Sequence, residues 1–462
     1  MQTSKPRASQ ALRELGALLA IAVCAVLLNT ALHFAISPYG NSTQIIWWSY
    51  RNVPKKSLDT VMVGSSFGLA AFDAPEVDKA LGSKSFNLAS TSQSLMDTYG
   101  ILSTVIPEQE PRRVILGVEY STMRQGIIMQ ASAPLLYERT EGQPPLQRLA
   151  SYGRWVTRPD TVSKTWSLSY FFPWAFNHVD YTPDAIAANI RRRLACPDPV
   201  EAGKDYSPTW HYQGQGFFEV EGNVDYDTMG NTLPPIGPDD DVAFMDFLWP
   251  SLEQVADYCS QTGTQLYVVA MPQPAFNIVR YGDAYPQNMR RLQEVVEEHG
   301  ATFVDFSLAR PDVCALQDED FSDNEHVNDV GARKFSEALG KAILRIEQGE
   351  QAGDLWYTYD GWDDWLSSID RVLLVGCKGS VSPDGRSVLV DAWSYAGKDV
   401  TAEYEVSLVH EDGTTEVIRP YDTLPSATYP IEGHGTATFR VDARRAGSEG
   451  APQRSATVVV AY

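Results

Sequence analysis

The run from Gly16 to Ile36 is apolar except at Asn29, Thr30 and His33, and as a helix it is long enough to cross roughly 30 Å of hydrocarbon. Only a helix or a closed barrel satisfies its backbone polar groups inside lipid, so this segment has one outcome. Lys5, Arg7 and Arg13 precede it. Positive charge on the short side keeps that side in the cytoplasm and sends the remainder across. The apolar run is longer than a signal peptide needs and lacks a small-x-small cleavage site, so the sequence predicts an uncleaved signal anchor in a single-pass cell-membrane protein. Val23 is too bulky for Cys24 to be a lipoprotein cysteine.

More than 400 residues follow, too many for one ordinary domain and ample for a real core. The expected order is a cytoplasmic terminus at 1–15, the span at 16–36, an α/β domain at 37–346 with an insertion at about 135–245, a linker at 347–368 and a β-sandwich at 369–462. Period-two alternation in VLVDAWSY, EYEVSLVHEDGTTEVI, TATFRVDA and SATVVVAY carries the sandwich assignment.

Two short strings within the α/β region carry chemistry. In VMVGSSFG, residues 61–68, a β-rich run stops at Gly64 and opens a loop of small residues, the usual place for a ligand site in an open parallel sheet. Ser65 or Ser66 could simply cap a helix there. In FSDNEHVN, residues 321–328, Asp323 and His326 stand three apart, just before an amphipathic stripe of Ala332, Phe335, Leu339, Ala342 and Ile346 for which Asn328 is a plausible cap. A serine hydroxyl becomes a nucleophile when a neutral imidazole takes its proton, and a carboxylate orients that imidazole. Ser66, His326 and Asp323 are the matching residue types.

These residues resemble the SGNH (GDSL-like) hydrolases, whose first block ends a strand as G-x-S and whose last is D-x-x-H before the final helix. The resemblance covers about 57–346 and looks closest to the membrane-anchored branch of cell-envelope acylation systems, such as the teichoic acid D-alanylation and the alginate and peptidoglycan O-acetylation proteins. It implies an SGNH or flavodoxin-like three-layer α/β domain, with Ser66 as nucleophile, His326 as base and Asp323 as its partner. It also implies an extracytoplasmic esterase or O-acyltransferase that needs no cofactor. Its partner would be an acylated envelope glycan or an acyl-donor membrane protein.

The segment FNLASTSQSLMDTY, Phe86–Tyr99, and the strand LYVVAMPQP, Leu266–Pro274, fall where such a chain would have them. The family's glycine oxyanion donor has Ala89 or Ser92 as its counterpart. Where the family offers an asparagine, VILGVEYS has Glu119 and Tyr120. A carboxylate beside a developing oxyanion opposes it, so Glu119 is expected to point away, leaving the N–H of Ser66 with Asn87, Ser92 or Gln93 as donors. Glu119 also supports an alternative, a catalytically inactive scaffold or glycan-binding envelope protein.

The insertion contains WSLSYFFPWAFNHVDY, the helical AIAANIRRRL at 185–194 and the loop NTLPPIGPDDD at 231–241, and is expected to roof the site. His178 and His211 within it are rival bases without a carboxylate at the family spacing. Arg191, Arg192 and Arg193 cannot all face one way on a helix and read as solvated. The Trp and Tyr residues at 356–365 suit either packing or a glycan face.

Residues 1–15 carry +2 of a net −22, leaving −24 on the remainder. A field of that sign disfavours nucleic acid. Cys196, Cys259, Cys314 and Cys377 permit three disulfide pairings. No metal or nucleotide motif is present.

Overall fold

A computed structural model of the chain describes residues 5–125, 136, 138–141, 143–156, 172–176, 180–237, 243–246 and 248–462. His178, most of the segment 166–181 and the end of the loop 231–241 lie outside the described residues.

A helix runs from Lys5 to Ile36. Its stretch Gln10–Ile36 is long and apolar enough to cross a membrane, and Leu18, Leu19, Ile21 and Leu27 stand exposed along it. A second helix, Ser42–Tyr50, follows at once, its first turn closed by a capping box between Asn41 and Gln44.

The α/β domain is built on a five-stranded parallel sheet. Its strands are β1 (Thr60–Val63), β2 (Ser85–Asn87), β3 (Arg113–Val118), β7 (Gln265–Ala270) and β8 (Thr302–Asp305), in the order β2-β1-β3-β7-β8. The pairings are parallel, with Thr60 beside both Ser85 and Arg113. Counted within this sheet the order is 2-1-3-4-5, so the direction of winding switches between β1 and β3, where doubly wound sheets hold ligands. Every residue of β1 and β3 is buried, as a parallel sheet covered on both faces requires. At the switch point the strands crowd: a side chain on Gly117 would press on Met271 Sδ at 2.7 Å.

The insertion contributes a small antiparallel sheet of β4 (Asp205–Ser207), β5 (Trp210–Gly214) and β6 (Phe217–Val220). Its β5–β6 turn caps the free edge of β2, because Asn87 N donates to Gln215 O at 2.9 Å. Gly216 makes that approach possible. It has φ of +82°, and a Cβ there would lie 1.7 Å from Asn87 O.

The C-terminal region forms two antiparallel sheets from β9 (Val372–Val381), β10 (Ser387–Ala396), β11 (Ala402–Val409), β12 (Thr415–Asp422), β13 (Ser426–Pro430), β14 (Thr436–Arg445) and β15 (Arg454–Ala461), ordered β13-β10-β9 and β12-β11-β14-β15. Val375, Val388, Val406, Phe439 and Val441 fill the core between them. The fold class is thus an α/β domain after an N-terminal apolar helix, followed by an all-β unit.

Residues 347–368 do not behave as the expected linker. Trp356 is fully buried, Tyr359, Trp362 and Trp365 nearly so, and all join the core of the α/β domain. The hydroxyls of Tyr359 and Tyr285 both donate to the buried carboxylate of Asp305 at the end of β8. Burial of this much aromatic surface outweighs any freedom the polar residues between them confer, and a buried ring offers no face to a glycan. The insertion also grips the sandwich. Asn231 accepts from Cys377 N at 2.7 Å and donates to Thr457 O at 2.8 Å, while Trp393 and Tyr395 donate to Leu233 O. Cys196, Cys259, Cys314 and Cys377 are all free thiols.

Candidate active site

The turn after β1 gives its two serines different tasks. Ser65 caps the helix Ser66–Ala71, its Oγ accepting from Phe67 N at 3.3 Å and donating to Glu119 Oε1 at 2.6 Å. Ser66 is left to face outward, and its Oγ lies 2.9 Å from His326 Nε2.

His326 arrives on a narrow loop pinned at both ends. Phe321 and Val327 form an antiparallel bridge, Ser322 N donates to His326 O at 2.9 Å, and Asn277 Nδ2 donates to Asn324 O. Asn328 caps the following helix, Asp329–Glu347, accepting from Val330 N and Gly331 N at 3.1 and 3.0 Å. Its amide also donates to Glu319 O at 2.7 Å. The loop therefore has little freedom to carry the imidazole away from Ser66.

Asp323 holds the other face of the ring, with Oδ2 3.0 Å and Oδ1 3.2 Å from His326 Nδ1. Oδ1 further accepts from the backbone N–H of Glu325 and of His326, each at 2.7 Å. Burial opposes charge on Asp323, but its hydrogen bonds with His326 and these amides prevail and lower its pKa. Burial likewise opposes charge on His326. The hydrogen bond that His326 donates to Asp323, followed by the negative fields of Asp323, Glu325 and Glu119, outweighs it and raises the imidazole above its usual 6.5. Phe67 and Trp210 flank the ring with centroids at 5.0 and 5.5 Å. Trp210 belongs to β5, so the insertion does contribute a wall beside the histidine.

The structure redistributes the expected oxyanion donors. Asn87 is fully buried and committed, donating to Gly68 O at 2.9 Å and accepting from Ala89 N at 3.0 Å. That bond also takes up the N–H of Ala89. Gln93 is buried between Ser90 Oγ and Thr98 Oγ1. Neither amide side chain is available, because both hold the loop 87–98 in place. Among the described residues no hydrogen bond engages the backbone N–H of Ser66 or of Ser92. Ser92 has φ of +58°, a conformation few non-glycine residues adopt, on a loop held beside the turn of Ser65 and Ser66 by the bond from Ser90 N to Gly64 O.

Glu119 departs from expectation more sharply. It does not point away but lies beneath the turn of Ser65 and Ser66, 3 % exposed, receiving hydroxyl protons from Ser65 and Thr122. Burial pushes its pKa up to about 7 against those two hydrogen bonds. Sequence reasoning missed this role because the partner hydroxyl, Ser65, is 54 residues away in the chain.

The rival His211 is partly buried, with Nε2 3.6 Å from Glu221 Oε1. Among the described residues no group of three or more His, Cys, Asp or Glu side chains is placed to hold a metal ion.

No protein-family profile and no curated protein matches this chain. Among solved structures it is similar to a GDSL-like lipase from Bacteroides thetaiotaomicron, at 10 % identity and a TM-score of 0.30, covering 67 % of this chain and 100 % of that one. It is also similar to a protein assigned to the G-D-S-L lipolytic family from Desulfitobacterium hafniense, at 9 % identity and a TM-score of 0.28, covering 61 % and 98 %. A third is a protein assigned as an acylhydrolase from Bacteroides fragilis, at 9 % identity and a TM-score of 0.29, covering 65 % and 95 %.

Proposed function

We propose that the chain is an extracytoplasmic serine esterase or O-acyltransferase of the SGNH type, acting on acyl groups of a cell-envelope glycan. The single observation that carries this reading is the 2.9 Å contact between Ser66 Oγ and His326 Nε2, on a ring whose Nδ1 faces Asp323 at 3.0 Å.

In this mechanism Ser66 Oγ attacks the acyl carbonyl carbon while its proton passes to His326 Nε2, and Asp323 stabilises the imidazolium without itself becoming protonated. The N–H groups of Ser66 and Ser92 stabilise the resulting oxyanion. Collapse breaks the ester C–O bond, the imidazolium returns its proton to the departing alcohol, and an acyl-Ser66 ester remains. A water or a sugar hydroxyl then adds to that ester with His326 again taking the proton; the bond to Ser66 Oγ breaks as the imidazolium returns that proton to Oγ, releasing a free acid or a new ester. Hydrolysis and transfer differ only in that second acceptor.

The anchor and the charge distribution favour an envelope setting. Basic residues on the short side of the apolar helix support a site outside the cytoplasm, and the −24 on the remainder favours a neutral or zwitterionic glycan, or a membrane protein donor, over a strongly anionic polymer or nucleic acid.

The test is covalent labelling of the full chain in detergent by a fluorophosphonate probe. Labelling of the parent that vanishes in Ser66→Ala and His326→Ala variants is the expected result. An unlabelled, folded parent would favour the inactive scaffold instead.

A further inference from the structure

At the foot of the α/β domain the insertion closes around the chain as it leaves the span. Trp174 Nε1 donates to Asn29 Oδ1 at 2.7 Å, and Asn189 Nδ2 donates to Ala35 O and Ser37 O at 3.1 and 2.6 Å. Arg193, from the insertion helix Pro183–Ala195, reaches Ser37 O and Pro38 O at 3.2 and 3.3 Å. It stacks over Tyr39 with its guanidinium carbon 4.5 Å from the ring centroid. Of the three consecutive arginines, this one is turned inward and 5 % exposed, contrary to the solvated reading.

These contacts frame a cavity of about 290 Å³ whose wall includes Phe34, Tyr39, Trp48, Arg51, Glu141 and Arg193. Phe34 belongs to the last turn of the span, which puts the cavity where the helix passes from hydrocarbon to headgroups. Trp174 and Tyr39 are of the residue types that favour that depth.

Both arginines line it. The Nε of Arg51 and of Arg193 are buried with no hydrogen-bond partner, although Arg193 Nη1 meets Glu141 at 2.8 Å and Arg51 Nη2 donates to Arg139 O at 3.1 Å. The charges on its wall favour an anion. Glu141 offsets one arginine. Glu138, also on the wall, is pushed up to about 8 by burial and so keeps its proton at neutral pH. One positive charge remains, which complements a monoanion.

We propose that this cavity binds the phosphodiester headgroup of a membrane phospholipid. Arg51 and Arg193 donate to its phosphate oxygens, and Phe34, Tyr39 and Trp48 lie against its glycerol and first acyl carbons. The planar guanidinium suits phosphate geometry, and the volume suits a headgroup rather than a whole lipid. Such a site would set the height and tilt of the α/β domain over the bilayer, and it is independent of Ser66.

The test titrates the full chain, in a neutral detergent, with dihexanoyl phosphatidylglycerol, with inorganic phosphate and with phosphate-free dihexanoylglycerol, followed by calorimetry. Saturable binding of the phospholipid is expected, weaker by about tenfold or more in Arg51→Gln and in Arg193→Gln, the worth of a charge-assisted hydrogen bond. The Arg191→Gln variant, on the same helix but outside the cavity, should bind as the parent does. Absence of saturable binding to the folded parent, or binding that survives both arginine substitutions, would overturn the proposal. Inorganic phosphate binding as tightly as the lipid would assign the cavity to a soluble anion, and dihexanoylglycerol doing so would remove the phosphate from the argument. Arg193 also holds an ion pair, so if its variant fails to fold, Arg51→Gln decides.

Discussion

Ser65 Oγ donates to Glu119 Oε1 at 2.6 Å, so the residue beside the candidate nucleophile is tied to a buried carboxyl on the loop after β3. The bond turns Ser65 inward as a helix cap and leaves Ser66 alone to meet His326. A residue that looked like a defect in the oxyanion region is thereby a support for the turn.

Glu119→Gln should fold and retain activity, since the amide oxygen still accepts from Ser65 and Thr122. Glu119→Ala strands the buried hydroxyl of Ser65 and the half-buried one of Thr122, and should lose about 1–3 kcal/mol for the buried group. Because burial raises this carboxyl from 4.5 to about 7, the native state binds more protons than the unfolded chain between those values. Its contribution to stability is therefore present below pH 4.5 and lost as the pH rises towards 7. Melting temperatures of parent and Glu119→Gln across that window should converge at low pH and separate in favour of the variant near 7.

The base must be neutral to act, and Asp323 together with the surrounding carboxylates raises His326 above 6.5. Turnover of a p-nitrophenyl ester should thus rise along a single limb with its midpoint above 6.5, not the one between 6 and 7 that an unperturbed histidine would give. Replacing Glu325 by Gln removes one of the fields that raise the ring, so the midpoint should move down. An unmoved limb would assign the titration to another group.

Asp323→Asn preserves the shape of the loop but presents the wrong hydrogen-bond partner to Nδ1. A loss on the order of 10⁴ in kcat is expected by comparison with the same change in other serine triads, with little change in KM. A loss below about tenfold would show that Asp323 serves the loop backbone and not the imidazole.

Gly216→Ala tests whether the insertion turn must lie against β2. A Cβ at this positive φ would meet Asn87 O at 1.7 Å, so the variant should lose more than about 1 kcal/mol in urea unfolding. Since Trp210 of the same small sheet flanks His326, esterase activity should fall with it.

Much of the molecule was legible in the chain because the signals are local. The apolar run ending at Ile36, the buried runs of β1 and β3 and the alternation after residue 371 each follow from side-chain periodicity. The D-x-x-H spacing lets Asp323 reach its own histidine within one loop, and Asn328 caps the helix as its position suggested. Where prediction failed, the deciding partner was distant in sequence. Asn87 and Gln93 carry amides that could have served an oxyanion, but loop contacts consume them. The aromatics of 356–365 read as linker because their acidic neighbours are conspicuous, whereas the α/β core buries the rings. Arg193 read as solvated because nothing local announces Glu141 or Tyr39.

By itself the sequence determined the apolar N-terminal helix, the two kinds of sheet and the residue types at the candidate site, since hydrophobic period and short-range hydrogen bonding are properties of neighbouring residues. Only the tertiary structure decided which serine faces the histidine, that Glu119 supports the turn, and that the insertion grips both the sandwich and the end of that helix. Those outcomes depend on which buried groups find partners across long loops, and burial makes an unpaired group costly enough to settle the choice.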